Sequence, residues 1–572
     1  MSFFTEDDSA TLFIHAVDRL TASPVYQTGR RIHRQLTLIL LPLKATAMKI
    51  LISDPIEQSC VDILTREGFQ VDLKPGISPE EIKKIIPEYA ALIVRSGTKV
   101  TADIINEAKE MKVIGRAGAG VDNIDVQAAS RRGIIVMNTP GGNTVSTAEH
   151  TVSMMLSLSR NIPQAYMSLV NGKWDRKKYM GTEVMGKTLG IIGMGKIGRE
   201  VAARCRAFGM TVIGFDPVLA NDVASKLGVE LVSLDEIYRR SDFITVHTPL
   251  NDETRGLLNE KTFAKCKKGV RVINCARGGI IDEAALLDAL NSGQVAGAAL
   301  DVFVEEPPKG NPLLQHPRLI ATPHLGASTE EAQEKVAIQI AEQLADALHD
   351  RGISGAVNAV ALQSGIPAEI KPYLLLAEKM GSLQAQLMKG KLKDITIETR
   401  GELLQKHVEL LTTGVLKGFF SKLMSQPVNY INAPVLASSM GIRVSEKKER
   451  DNENYNQLLT IEYSTDQEER SFAGTVFGTT KPRVVRIDAF YFEVNPEGIL
   501  LFYTNTDKPG MLAHVGSILA AEKVNIAGLS LGRTGVGEKA LVVVSVDSPI
   551  PEKMLQQIRS LDGIFDAKVV SL

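Results

Sequence analysis

The stretch LGIIGMGKIGREVAARCRAFG, Leu189–Gly209, runs from an apolar strand through three glycines into an amphipathic helix, and MTVIGFD then closes a second strand at Asp216. Gly193, Gly195 and Gly198 have GxGxxG spacing. In this context the first glycine allows the tight turn, the second lets backbone approach a pyrophosphate at the helix N-terminus, and the third lets helix and strand pack closely. Asp216 stands where a carboxylate accepts hydrogen bonds from adenosine ribose hydroxyls. It repels a 2′-phosphate, which favours NAD over NADP. A nearby match, GRAGAGVDNID (residues 115–125), has Gly118 and Gly120 but Asn123 in the third place and opens no comparable helix; it reads as a loop lining a cleft.

Outward from this motif, short apolar strands alternate with helical periods. KILISD, FQVDLK, AALIVRS and MKVIGRAG precede it. VELVS, DFITVHTPL, GVRVINCARGG, VAGAALDVF and LIATPH follow it. The pattern predicts two Rossmann-like parallel-sheet domains built from βαβ units. One long helix, Thr144–Trp174, is expected between them, and the helix after Thr329 is expected to return to the first unit, making that domain discontinuous. The domain boundaries read as 48–145 plus 326–358 and 146–325. From 361 to 495 the texture changes to mixed helices and strands, an α+β unit, with an exposed charged stretch at Ser445–Asn456. From 499 to 572 the order strand, helix, strand, strand, helix, strand predicts a ferredoxin-like βαββαβ fold.

At 572 residues a soft prior gives roughly four domains. Apolar content of 44% and a net charge of −1 describe a globular chain with no electrostatic case for nucleic acid or an acidic membrane surface. No apolar run is long enough to span a bilayer. The four cysteines have no metal-site spacing and read as reduced thiols of a reducing compartment, which points to the cytoplasm. Residues 1–47 read as an extension without folded structure. Glu6, Asp7, Asp8 and Asp18 argue against an import peptide, and the folded protein is expected to begin at Met48.

Three strand ends carry chemistry. Arg277 follows VRVINCA and precedes two glycines, so a guanidinium and close backbone can hold a carboxylate. Glu305 and Glu306 end ALDVFVEEPP, and His324 ends LIATPH. All three face one edge of an open α/β sheet, where ligands bind. Oxidation of a secondary alcohol needs a base, and His324 is the histidine in this group, with Glu306 to hold the ring and Arg277 to orient a 2-hydroxy acid. His247, in TVHTPL, reads as a packing or cofactor-loop residue and His150, in TAEHTVSMML, as a structural one.

Together GMGKIG, NCARGG, DVFVEEPP and TPHLGAS, in this order, resemble the D-2-hydroxyacid dehydrogenase family from Met48 to about Asn358. The resemblance implies Arg277, Glu306 and His324 as catalytic. It implies NAD contacts from Lys196, Ile197, Asp216, Thr248, Cys275, Ala276, Asp301 and Gly326 beside the three glycines, and substrate contacts from Arg95, Ser96 and Asn143. Within that family it is similar to members that oxidise 3-phospho-D-glycerate on the way to L-serine. Arg176 and Lys177, in WDRKKY beside Trp174, are then expected to reach a neighbouring subunit's phosphate site in a homo-oligomer, a tetramer by resemblance; a solvated charge run is the plain alternative. TNTDKPGMLAHVGSILAAEKVNIAGL resembles an ACT domain, which implies Asn505, Asp507 and Asn525 as contacts for an amino-acid effector, L-serine. The intervening region resembles an allosteric substrate-binding domain, and MKGKLK (residues 388–393) reads either as part of an anion site or as a solvated basic face. A glyoxylate or hydroxypyruvate reductase, and an NAD-sensing corepressor-like protein, stay open as alternatives.

Overall fold

A computed structural model describes residues 47–363, 365–449 and 454–572. The expectation for residues 1–46 and the middle of the charged stretch lie outside the described residues.

Strand-forming Ile, Leu and Val runs that are buried on both faces favour parallel pairing under helices. The first sheet follows this rule. Its five parallel strands lie in the order Gln70–Leu73, Lys49–Ile52, Ala91–Val94, Val113–Arg116, Ile135–Asn138. Ile50 and Ile52 point to one face with Cys60 and Leu64 of helix Gln58–Arg66 and with Val336, Ile340 and Leu344 of helix Glu330–Leu348. Leu51 points to the other, with Ile82, Ile104 and Ala129. Each such fully buried side chain contributes about 1.5–3 kcal/mol. Helix Glu330–Leu348 is therefore packed on the first sheet although its sequence follows the second. Thr329 caps it by accepting the Ala332 N–H, and Glu330 and Glu331 complement its dipole.

The second sheet has seven parallel strands in the order Leu319–Ala321, Val295–Leu300, Val270–Asn274, Phe243–Val246, Thr188–Ile192, Thr211–Phe215, Glu230–Leu231. The order reverses direction between Thr188–Ile192 and Phe243–Val246, which places a ligand crevice above those two strand ends. The long connecting helix departs from expectation. It breaks at Asn161, whose φ is 52°, into Thr144–Arg160 and Ile162–Val170. Pro163 lacks the N–H that would continue the ladder, and the Ser159 carbonyl instead accepts the Thr182 N–H at 2.8 Å. The short strand Ile135–Asn138 was not anticipated from its four residues.

The third sheet is mixed, in the order Arg443–Glu449, Leu392–Arg400, Leu458–Thr465, Glu469–Phe477, Lys481–Ile487, Phe490–Val494, with its first pair parallel. Its helices Lys371–Leu387 and Val408–Leu423 cross where a Cβ on Gly418 would strike the Glu378 carbonyl, so only glycine allows that approach. The first half of the charged stretch is the edge strand Arg443–Glu449, exposed along its whole length; Lys and Glu there discourage edge pairing with other chains.

The fourth sheet is antiparallel in the order Ile526–Arg533, Lys539–Val546, Ile499–Thr506, Ile564–Ser571, the ferredoxin-like arrangement. Helices Met511–Ala521 and Glu552–Arg559 cover one face through Leu501, Tyr503, Val515, Val544 and Ile558. The other face, Leu500, Phe502, Leu541, Val543 and Val570, shares one continuous core with Leu376, Met380 and Phe472 of the third-sheet unit. In the MKGKLK segment Lys389, Lys391 and Lys393 are all exposed, and part of the segment is tied to its neighbours. Lys389 Nζ pairs with Asp566 at 2.7 Å, the Lys389 and Lys391 amides donate to Glu468 and Asp466, and Lys568 Nζ donates to the Leu387 carbonyl at 2.6 Å. The segment braces the last two units against each other. No helix among the described residues is long and apolar enough to cross a membrane.

Candidate active site

The glycine turn after Thr188–Ile192 is shaped for a dinucleotide. Gly193 has φ 97°, and a Cβ there would meet the His247 carbonyl oxygen at 2.6 Å. A Cβ on Gly198 would strike the Gly193 carbonyl, whereas nothing lies within 4 Å of one on Gly195. Open space therefore stands in front of helix Lys196–Ala207, whose N-cap has no side-chain capping bond. Such a bare N-terminus receives a pyrophosphate. Thr248 Oγ1 is buried at the same crevice without a partner, a hydroxyl left for a ligand. Asp216 accepts from the amides of Val218 and Leu219 on one oxygen and from Met194 on the other, all within 3.0 Å. Burial works to raise its pKa, but these bonds outweigh it and hold the carboxyl low, so it stays an anion. Lys196 Nζ reaches the Pro140 carbonyl at 3.2 Å, and Ile197 is half-buried behind it. Ala276 N donates to Asn274 Oδ1, and Cys275 is buried with its thiol pushed up to about 12. Burial pushes the His247 imidazole down to about 4; its Nε2 meets Thr245 Oγ1 at 3.1 Å, and its Nδ1 has no partner. The cradle, the orphaned hydroxyl and the fixed carboxylate together fit NAD.

Across the crevice, His324 Nδ1 lies 2.7 Å from Glu306 Oε2, and the other Glu306 oxygen accepts the Phe303 N–H at 3.1 Å. Burial would raise the Glu306 pKa; the bonds from His324 and Phe303 prevail and hold it below the usual carboxylate range. An acceptor at Nδ1 selects the Nδ1–H tautomer and leaves Nε2 a bare base. Among the described residues Nε2 has no hydrogen-bond partner, and the side chain is 45% exposed. His324 sits at φ 55°, an uncommon backbone state for a non-glycine residue. The structure shows what holds it there. Asp301, fully buried, accepts the Leu325 N–H and the Thr322 hydroxyl on Oδ1 and the Gly326 N–H on Oδ2. Its carbonyl takes the His324 N–H at 2.9 Å. Asp301 and Gly326, both expected as cofactor contacts, are turned inward here. Gly326 O accepts the hydroxyls of Ser146 and Thr147, and the two residues build the loop that displays His324.

Arg277 donates from Nε to Asp122 Oδ2 at 2.9 Å and from Nη1 to its neighbour's carbonyl, Ala276 O, at 2.7 Å. A Cβ on Gly120 would collide with Arg277 Nη2, so the loop read as a cleft lining is in contact with the arginine. Beside it stands a residue the sequence did not single out. Arg116 ends strand Val113–Arg116, makes no hydrogen bond or ion pair among the described residues, and has a buried, unpartnered Nε. Burial first, and then the repulsion of Arg277, hold its guanidinium down to about 10. The signal that marks it is positional: an arginine at a parallel strand's C-terminal end, where ligands bind. Arg95 donates to Pro55 O and Gln333 Oε1, and Ser96 beside it is exposed. Asn143 is the N-cap of helix Thr144–Arg160 with its side chain not engaged in capping. Arg176 and Lys177 are exposed beside Trp174, which is 77% exposed, and make no side-chain bond to this cleft.

The effector residues divide. Asn505 is buried with its Oδ1 unpartnered, and Asp507 accepts from Arg533 and Gly537 at the adjoining corner. Asn525 donates to Asp547 at the opposite end of the sheet. Asn505 pairs with Ala540 and Ile526 with Val546, so at ~3.3 Å per residue about 20 Å of strand separates them. One chain does not bring the three together.

Comparison with known proteins agrees with this architecture. Residues 152–326 match the NAD-binding domain of D-isomer specific 2-hydroxyacid dehydrogenases, 369–488 the D-3-phosphoglycerate dehydrogenase intervening domain, and 499–563 the ACT domain. The chain is 42% identical over 528 residues to a D-3-phosphoglycerate dehydrogenase of Archaeoglobus fulgidus, covering 92% of this chain and all of that one. It is 44% identical to that of Homo sapiens over 518 residues, covering 89% and 96%. Among solved structures, a glyoxylate reductase from Paecilomyes thermophila superposes with TM-score 0.51 at 33% identity, covering 55% of this chain and 98% of its own. An NAD-dependent formate dehydrogenase from Staphylococcus aureus in complex with NAD has TM-score 0.50 at 31% identity, covering 54% and 97%.

Proposed function

The chain belongs to the D-3-phosphoglycerate dehydrogenase family, and from that premise we propose how its own residues carry out the NAD-dependent oxidation of 3-phospho-D-glycerate to 3-phosphohydroxypyruvate, the entry to phosphorylated serine synthesis. The likeness to the glyoxylate reductase covers the catalytic half alone, whereas likeness to the phosphoglycerate enzymes runs through the intervening and ACT units.

The observation that supports the reading best is the His324–Glu306 pair at 2.7 Å with Nε2 unpartnered. His324 Nε2 takes the proton of the C2 hydroxyl, and Glu306 compensates the charge that appears on the ring. NAD, held by the Gly193–Gly198 turn, Asp216 and Thr248, supplies the two-electron acceptor for the C2 hydrogen. Arg277 orients the substrate carboxylate. Arg116 and Arg95 offer the phosphate cationic donors, and Ser96 and Asn143 line the same cleft. Arg176 and Lys177 act from a neighbouring subunit, in a tetramer.

The four folded units divide as 48–145 with 326–358, 146–325, 361–495 and 499–572. L-serine binds between two copies of the last unit, where Asn505 and Asp507 of one meet Asn525 of the other, and lowers activity. The protein works in the cytoplasm.

Formation of NADH from 3-phosphoglycerate, with the ketone product removed, tests the assignment; absence of turnover refutes it. Turnover indifferent to L-serine refutes the regulatory half alone. His324→Asn should keep NADH affinity and lose about a hundred-fold or more in kcat.

A further inference from the structure

Behind His324 lies a polar cluster that the reaction as described does not use. His150, half-buried in the middle of helix Thr144–Arg160, places Nε2 3.1 Å from Thr322 Oγ1 and 3.1 Å from Asp301 Oδ1. The single hydroxyl proton of Thr322 already goes to Asp301 at 2.6 Å. Thr322 is therefore an acceptor toward the ring, Asp301 is an acceptor as a carboxylate, and His150 Nε2 must be the donor to both. His150 also lines a cavity of about 680 Å³ between helices Thr144–Arg160 and Ile162–Val170 and strand Leu319–Ala321.

We infer that His150 is a positioning residue for the reaction: its shared Nε2–H bond completes the clamp on Asp301 and Thr322 that fixes the backbone of His324 beside Glu306. The inference rests on the reading of His324 as the base. The geometry argues for it in three steps. Asp301 has no exposed surface, so each of its donors replaces water that it cannot reach. Three of those donors, Thr322, Leu325 and Gly326, belong to the segment that carries His324, and a fourth bond, from His324 N–H to the Asp301 carbonyl, belongs to His324 itself. Among the described residues His150 alone reaches the carboxylate from a different element, helix Thr144–Arg160, which packs on the second sheet. Ser146 and Thr147 of the same helix hold the loop at the Gly326 carbonyl; without His150 no bond from that helix reaches the Asp301 carboxylate itself among the described residues. The charged and titratable groups around His150 are Asp301 and the buried Cys275 thiol, whose ligand atoms lie within 4.8 Å of it and each other, and Lys173, Asp175 and Lys178 across the cavity.

The test compares His150→Leu with His150→Gln, whose amide nitrogen takes the place of Nε2 as a donor. The substrate-free readout is the tautomer of His324, followed by long-range nitrogen–proton spectra of histidine-labelled protein, with the His324 signal assigned by its loss in His324→Asn. In the wild-type chain the Glu306 contact keeps the proton on Nδ1. In His150→Leu the population should move toward the Nε2–H form that free imidazole prefers, and in His150→Gln it should return. In parallel, His150→Leu should lower kcat about ten-fold, leave the NADH Kd and the substrate KM within about two-fold, and be rescued by Gln. A His324 tautomer that stays unchanged in His150→Leu overturns the inference whatever the rate does. Equal impairment of both variants with a lowered melting temperature also overturns it, in favour of simple packing. If the wild-type chain fails to turn over 3-phosphoglycerate, the functional assignment falls while the tautomer measurement still decides the role of His150.

Discussion

Arg277, at the end of a strand in the second parallel sheet, donates to Asp122, in a loop that follows the last but one strand of the first. The pair crosses the cleft. It holds the guanidinium by its Nε, through a contact 68% exposed on the carboxylate side. Exposed pairs of this kind are worth about 0.2–1 kcal/mol. Asp122→Asn should therefore raise the KM for 3-phosphoglycerate about two- to five-fold while kcat and NADH affinity stay unchanged. Steady-state kinetics against each substrate check this, and a fall in kcat with constant KM would contradict the orienting role.

Arg116 predicts a conflict between stability and function. A half-buried guanidinium with an unpartnered Nε costs folding energy that an apolar side chain of similar length would not. Arg116→Met should raise the unfolding free energy by about 1 kcal/mol in denaturant titration. The same variant should raise the KM for the phosphorylated substrate by ten-fold or more, because a charged hydrogen bond is worth about 1.5–3 kcal/mol. A destabilised variant with normal KM would show that the arginine serves the fold.

His247 sets a pH dependence whose sign follows from burial. Its imidazole is pushed down from 6.5 to about 4, so between those values the unfolded chain binds a proton that the folded one does not. Stability from this group is whole above pH 6.5 and declines as pH falls toward 4, by about 3 kcal/mol in all. His247→Gln should flatten the loss of melting temperature between pH 6.5 and 4. If wild type and variant lose stability in parallel over that range, the histidine is protonated in the folded state.

For the proposed L-serine site, the separation of Asn505 from Asn525 within one chain requires a residue from each of two copies. Asn505→Ala and Asn525→Ala should each abolish inhibition by L-serine. Mixed oligomers of the two variants contain one wild-type pairing, and should regain partial inhibition. Failure of the mixture to respond, with each variant still assembled, would place effector binding within a single chain.

The parallel sheets and the GxGxxG turn were legible because short continuous apolar runs, the glycine spacing and Asp216 are local signals. The Arg277, Glu306 and His324 strand ends were legible for the same reason: an open α/β sheet gathers such ends on one edge. The break at Asn161 was missed because the apolar period continues across it, and a single left-handed residue with a following proline leaves the pattern intact. Arg116 was missed because an arginine in a strand looks like any other until burial and the lack of partners are known. The inward turn of Asp301 and the donor role of His150 depend on a carboxylate meeting four donors from two distant segments at once. No spacing in the chain announces that.

The apolar core shared by the third and fourth sheets has a mechanical meaning. With Leu500, Phe502 and Val543 buried against the same interior as Leu376 and Met380, the final unit cannot slide without opening that interior to water. It and its neighbour form one block. This block meets the catalytic half where Asn429 donates to the Gly133 carbonyl, beside the bonds by which Asn358 holds Ser130, Ile134 and Val136 within the first unit. If L-serine acts as proposed, its route to the cleft runs through this contact beside strand Ile135–Asn138, in the sheet whose strand ends carry Arg95 and Arg116.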